Sequence, residues 1–250
     1  MTDNGAALPG PVLAAVTDKK RLDVVSAFRT PDGEADVDFD RLSRTAAHIF
    51  GTDIAIIAVV DAEQTWFRSC IGLEEMTGSR TDVAFCAHTL AVPETGTLVV
   101  LDARQDDRFR DNSLVTSHPF VRFYAGAPIL VAGQKIGSLC VLSDKPRAAV
   151  DPAMLEQLSN LAGVAGALFS LKEEARVRAR TAAALLREEW RHALTLEAGK
   201  VGSWVWDIRT GEIACNEMFR RMYDLPETGT IQLQQVLDAT HPADLATVEA

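Results

Sequence analysis

The chain of 250 residues is 47% apolar and carries a net charge of −10, enough apolar material to bury one large core or two modest ones. That acidity, with no useful run of Lys and Arg outside one helical stretch, excludes a nucleic-acid surface, which needs a basic face against phosphate. No apolar run approaches the roughly 18 residues of a membrane helix, and the start MTDNGAALPGPVLAAVTDKK lacks the basic-then-apolar order of an export signal, so no membrane contact and a cytoplasmic location are expected.

Residues 1–16 are rich in Gly, Pro and Ala and are expected to be a flexible lead-in, with order beginning near Thr17. TDKKRLDVVSAF opens on a Thr/Asp cap and spaces Leu22, Val25 and Phe28 as a helix, stopped by the turn Pro31-Asp32-Gly33. DFDRLSRTAAHIFG predicts a second helix from Phe39, with Leu42, Ala46, Ile49 and Phe50 on one face and Gly51 ending it. From Asp53 to Val60 the run is continuously apolar and β-branched, a strand covered on both sides. Gln64 to Ile71 is its hairpin partner, and this pair is expected at the centre of the sheet.

Ala84 to Val92 is a short helix closed by Pro93 and Gly96, and Thr97 to Leu101 is a strand. In the acidic loop that follows, Phe109 stands alone among Asp102, Asp106, Asp107, Arg108 and Asp111, the pattern of a lid pinned by one aromatic ring. Arg122 to Val131 and Gln134 to Leu142 are two more strands joined at Ala132-Gly133, with Gly126 and Gly137 marking close approaches. The connections are too short for parallel crossovers, so the sheet is antiparallel with helices against it, an α+β arrangement.

The order Phe85-Cys86-Ala87-His88, then DARQDDRFRDN, VRFYAGAPI and KIGSLCVLS, resembles the core of a GAF domain, over roughly residues 17–170. The resemblance implies a sensor module with a small-molecule pocket, its candidate lining being Trp66, Phe85, Cys86, His88, Phe109, Phe123 and Tyr124. Those aromatics also read simply as core.

Cys86 two positions before His88 invites a bilin-attachment cysteine, a haem or metal ligand at His88, or a thiol nucleophile with its base. On a helix, however, such positions point about 200° apart, so the packing reading is preferred. Some GAF proteins reduce free methionine-R-sulfoxide with two or three thiols; Cys70, Cys86 and Cys140 sit in a different motif setting here, which leaves that enzyme as an alternative. The four cysteines, Cys215 included, form no C-x-x-C pair and read as reduced thiols. The Asp loop lacks the turn glycine and closing glutamate of a calcium loop, so no metal is expected and no cofactor is called for. No catalytic site is read in these residues.

Asp151-Pro152 opens a long helical pattern in which Leu161, Val164, Leu168, Leu171, Ala175, Ala182, Leu185 and Leu196 step by three and four, interrupted by Arg178, Glu189 and His192. About 45 residues make about 70 Å of helix, whose stripe needs a partner, and a homodimer is the expected one. His192 reads as a polar seam residue rather than a phosphoacceptor. From Thr195, LEAGKVGSWVWDIRTGEIACNEMFRRMYDLPE resembles the start of a PAS domain: strands Ser203 to Ile208 and Glu212 to Cys215 about the turn Thr210-Gly211, then a helix capped by Asn216 bearing Phe219, Met222 and Tyr223. His241-Pro242-Ala243-Asp244 matches the helix before the last strands of such domains, which are expected to be missing, leaving Trp204 and Trp206 uncovered.

The expected organisation is a lead-in over 1–16, a GAF domain over 17–150, a helical linker over 151–197 whose first turns pack on that domain, and half of a PAS domain over 198–250. Together these resemble the input region of a bacterial sensor histidine kinase, passing a signal through the helix to a downstream kinase module. The alternatives are an input to a GGDEF/EAL cyclic-di-GMP enzyme, and a dimerisation scaffold without ligand.

Overall fold

The computed structural model describes residues 8–28, 36–73, 76–81, 83–93 and 96–241, arranged in two compact units, Met1–Arg176 and Val177–Ala250. The first begins with α1 (Gly10–Thr17), α2 (Lys19–Val25) with a one-turn extension over Ser26–Phe28, and α3 (Val37–Phe50). There follow β1 (Ile54–Val60), β2 (Gln64–Ile71), β3 (Gly78–Arg80), α4 (Phe85–Thr89), β4 (Leu98–Val100), α5 (Ser113–Thr116), β5 (Phe123–Val131), β6 (Gln134–Ser143) and α6 (Pro152–Ala198). The strands lie in the order β3-β2-β1-β6-β5-β4, and every pairing is antiparallel, as the short connections demand.

The central pair is β1 with β6, not β1 with its hairpin partner β2. Burial decides it. From Ala55 to Val60 no side chain of β1 reaches solvent, and Ile136 to Leu142 of β6 is equally enclosed, whereas β2 leaves Gln64 exposed and five others half-buried. Gly137 lets the two central strands meet, since a Cβ there would lie 1.8 Å from the Ala58 carbonyl oxygen. The β5–β6 turn is built on positive φ at Ala132 (50°) and Gly133 (72°), which matches the twist of the hairpin.

The helices follow their caps. Asp18 accepts the Arg21 amide at 2.8 Å to start α2, Asp36 accepts the Asp38 amide at 3.1 Å to start α3, and Gly51 ends α3 in the left-handed region at φ 56°. The predicted turn at Pro31-Asp32-Gly33 lies outside the described residues.

α1 is a correction to the expected lead-in. A proline at its first turn and buried Val12 and Val16 give residues 10–17 a helix docked on the sheet. Arg21 secures it: its buried guanidinium donates to the carbonyls of Ala15 (2.9 Å), Val16 (2.5 Å) and Val60 (2.5 Å), joining the end of α1 to the end of β1.

Alternate residues of the strands build two cores. Ala55, Ile57, Val59, Phe123, Ala125, Leu139 and Val141 face α2, α3 and the first turns of α6, where Leu158, Ala162, Ala165 and Phe169 pack. Ile56, Ala58, Val60, Tyr124, Cys140 and Leu142 face α1, α4 and the segment 101–122.

The second unit holds β7 (Trp204–Trp206), β8 (Glu212–Cys215), α7 (Glu217–Met222), β9 (Ile231–Gln232) and α8 (Leu233–Ala239), with sheet order β7-β8-β9. Asn216 caps α7 by accepting the Phe219 amide at 2.9 Å, and Ile213, Phe219, Ile231 and Val236 form a small core. Trp204 is 52% exposed. Residues 242–244 of the His241-Pro242-Ala243-Asp244 motif, and the side chains of Glu189, His192 and Leu196, lie outside the described residues. Among the described residues no helix is long and apolar enough to cross a membrane.

Candidate functional site

α4 is five residues long, yet all five are buried, because the helix is pressed between the sheet and the loop that follows β4. The loop is held over it by side chains. Asn112 donates to the Val83 carbonyl at 2.9 Å and accepts the Leu114 amide at 2.8 Å, so one residue both anchors the loop beside α4 and caps α5. At the other end of α4 the Lys135 ammonium donates to the carbonyls of Leu90, at 3.0 Å, and Val92.

Between helix and loop, Phe109 is 1% exposed and stacks on Phe85 with ring centres 4.1 Å apart and planes 9° from parallel. Phe85 also meets Tyr124 at 5.2 Å, and the edge of His88 meets Phe109 at 4.6 Å. Arg108 lies over the outer side of Phe109 and is itself held by Asp106, as Arg104 is held by Asp102. The acidic loop is thus a series of Asp–Arg pairs around one ring, and they hold the Asp102 and Asp106 carboxyls below the usual range.

The floor under α4 is polar. Thr89 and Tyr124 share a hydroxyl–hydroxyl hydrogen bond of 2.7 Å, and the sulfurs of Cys86 and Cys140 are 3.7 Å apart. Cys140 also donates to the Ile56 carbonyl at 3.6 Å. Ser138 Oγ and His88 Nδ1 are buried without a hydrogen bond, though Ser138 lies close enough to Cys86 and Tyr124 to favour their charged forms.

Contact between the two sulfurs lowers the Cys86 pKa against the opposing effect of burial, while the same contact, with burial, pushes Cys140 well up. Burial, then the charge of Arg108, pushes His88 down to about 4, Asp106 opposing, so the imidazole is neutral. This face of the sheet, which we call the chamber, is closely packed: hydroxyls, thiols and a neutral imidazole lie together under the aromatic rings of Phe85 and Phe109.

Of the residues expected in one pocket, the fold brings together Phe85, Cys86, His88, Phe109 and Tyr124. Trp66 and Phe123 are not among them. Phe123 precedes Tyr124 on β5 and so points the other way, stacking with Phe50 at 6.4 Å beneath the Arg147 guanidinium, 4.4 Å from the ring centre. Trp66 pairs with Val59 and packs in that same helix-covered core.

Thr89, Ser138 and Cys140 belong to the chamber without having been expected there. Thr89 follows His88 directly, and Ser138 and Cys140 alternate on β6, so helix and strand parity were the available signals. Outside the chamber, an open groove of about 970 Å³ runs between Val99–Asp107 and Pro146–Ala148. Among the described residues no cluster of three or more His, Cys, Asp and Glu could hold a metal ion.

The family model "GAF domain" matches residues 34–167. The cyclic di-GMP phosphodiesterase PA2567 of Pseudomonas aeruginosa is 43% identical over 131 residues, which is 51% of this chain and 22% of that protein. The GAF domain of an Acinetobacter phosphoenolpyruvate-protein phosphotransferase is 14% identical, covering 65% of this chain and 95% of that one, with a TM-score of 0.45. The PixJ GAF domain of Thermosynechococcus elongatus, in its blue-light absorbing form, is also 14% identical, covering 68% of this chain and 98% of that one, with a TM-score of 0.44.

Proposed function

The chain belongs to the GAF domain family, and from that premise we propose that it is the sensory input region of a bacterial signalling protein whose output is cyclic-di-GMP turnover. The observation that carries the choice of output is the 43% identity to the Pseudomonas phosphodiesterase, over a stretch as long as the GAF match itself. In this reading a small molecule binds beneath α4, and its hydrogen bonds give Ser138 Oγ and His88 Nδ1 the partners they lack.

The signal leaves through α6. One side of this helix packs on the GAF core through Leu158, Ala162, Ala165 and Phe169, while Val164, Leu171 and Leu185, spaced in sevens and multiples of seven, are 53%, 64% and 61% exposed. Such a stripe on a helix of 47 residues suits a second copy of the chain. The small sheet β7-β8-β9 with α7 and α8 fits the opening elements of a PAS domain as the next relay.

A sensor histidine kinase is the second reading, favoured by that succession of GAF domain, long helix and PAS-like start. Deleting the gene separates the two. Cyclic-di-GMP output predicts a changed cellular cyclic-di-GMP pool, restored by the wild-type gene, whereas an unchanged pool with loss of a phosphorylated response regulator speaks for the kinase. For the dimer, light scattering on the full chain should give twice the monomer mass, and Leu171→Asp with Leu185→Asp should halve it; a wild-type monomer at tens of micromolar sinks that part.

A further inference from the structure

We propose that Cys86 and Cys140 form a peroxide-sensitive dithiol, which closes to a disulfide tying α4 to the centre of the sheet. The proposal is independent of the output module above.

The two sulfurs are in contact at 3.7 Å although 54 residues separate them in the chain. They stand on elements that the fold holds face to face. Cys86 is in the first turn of α4, and Cys140 lies on β6 between Ile56 of β1 and Gly126 of β5. Closing that contact to a bond of about 2.05 Å joins two elements already packed on each other, with no strand crossing to be made.

The surroundings favour reaction over inert packing. A buried thiol among apolar groups is held protonated and unreactive. Here the apolar surroundings are broken by two hydroxyls close to the thiols, that of Tyr124, bonded to Thr89 at 2.7 Å, and that of Ser138. The glycine opposite Cys140 leaves room for the Tyr124 hydroxyl, because a Cβ at Gly126 would lie 2.3 Å from Tyr124 Oη and displace it. Exposure assigns the roles: Cys86, in a short helix and 5% exposed, is the nucleophile that meets the oxidant, and Cys140, fully buried on the central strand, is the resolving thiol, in line with the lowered Cys86 and raised Cys140 pKa. Cys86 is 5% exposed and Cys140 is fully buried, so the oxidant is small and uncharged, namely hydrogen peroxide.

The chemistry balances. The Cys86 thiolate attacks one peroxide oxygen, the O–O bond breaks, and the departing hydroxide takes up the thiol proton and leaves as water, with a sulfenic acid at Cys86. The Cys140 sulfur then attacks the Cys86 sulfur and gives up its proton. The S–O bond breaks, the S–S bond forms, and a second water leaves. Two thiols and one peroxide become one disulfide and two waters, the electron pair passing from sulfur to oxygen. A dithiol reductant reverses the step by exchange and is itself left as the disulfide. With the bond in place α4 is pinned to β6, and Phe85 and His88 on the same helix are pinned with it.

The test uses the whole wild-type chain, treated with hydrogen peroxide in small molar excess, then unfolded, alkylated and mapped by mass spectrometry. Two of the four thiols should escape alkylation as one cross-linked peptide pair joining Cys86 to Cys140, recovered by dithiothreitol. In Cys140→Ser, dimedone should label Cys86, and in Cys86→Ser it should leave Cys140 unlabelled. Full alkylation of all four thiols, over-oxidation of Cys86 without a cross-link, a bond to Cys70 or Cys215 instead, or dimedone on Cys140 each overturns the proposal. The wild-type cross-link needs no variant to fold, so it decides by itself.

Discussion

The two faces of the GAF sheet are made by the same strands and differ in almost everything else. The face under α2, α3 and α6 is largely apolar, with Phe169 set against Phe39 at 4.5 Å and Phe28 at 5.4 Å, and its cover includes a 14-residue helix and the opening turns of a 47-residue one. The face under α4 is covered by short helices of eight, five and four residues and a loop, and it buries Cys86, His88, Thr89, Tyr124, Ser138 and Cys140. Alternation along a strand lets one sheet be a rigid wall on one side and the floor of a chamber on the other. Buried polar atoms without a hydrogen bond occur on both faces, Ser43 Oγ and Trp66 Nε1 on the wall and Ser138 Oγ and His88 Nδ1 in the chamber, but the chamber gathers its thiols, hydroxyls and imidazole in one place.

Phe123→Ala should be the most damaging change, at about 4 kcal/mol in urea unfolding, because long helices on the wall cannot settle into the space. Phe109→Ala should cost nearer 3 kcal/mol, since the loop it anchors can partly collapse; the reverse order would break the distinction between wall and chamber.

His88 sharpens the comparison through pH. Its folded pKa is about 4 against 6.5 in the unfolded chain, so between those values the unfolded state binds the proton and the folded state does not. Stability should therefore fall as pH drops from 6.5 towards 4, by about 3 kcal/mol in all, and be unaffected by this group above pH 7. His88→Gln should lose that part of the pH dependence, and a variant that follows the wild-type curve would mean the imidazole is solvated. Ser138→Ala, which removes a buried hydroxyl without a hydrogen bond, should leave stability unchanged or raise it by up to about 1 kcal/mol; a loss of that size would show the hydroxyl to be well partnered. Least of all, Arg191→Ala on the exposed part of α6 should change stability by under about 0.5 kcal/mol, since its pair with Glu188 is open to solvent.

Much of the wall was legible because it depends on local pattern. IAIIAVV can only be an enclosed strand, Gly51 can only stop a helix of that phase, and Gly126 and Gly137 marked the close approaches that Tyr124 and the Ala58 carbonyl make. The chamber was legible only in part. Assigning Trp66 and Phe123 to it ignored parity, which is hard to count through a bulge such as the one between Ile57 and Ala58, although adjacent Phe123 and Tyr124 could never share a face. α1 was hidden by a Gly-Pro composition whose proline starts the helix, and β3 and α5 are too short for any period to show. Nothing local couples Cys86 to Cys140, or Arg21 to Val60 at a separation of 39 residues; only the closed sheet brings them together.

That the chamber face is the responsive side of this domain is tested most directly by native-state hydrogen exchange on the full chain. Amides of α3, β1, β5 and β6 should exchange only through global unfolding. Those of α4, whose main-chain bonds include the three-residue steps from Ala87 to Ala84 and from Leu90 to Ala87, and those of residues 101–122 should exchange through local opening at least on the order of a hundredfold faster. Equal protection of α4 and β1 would contradict the account, because the chamber would then open no more readily than the wall behind it.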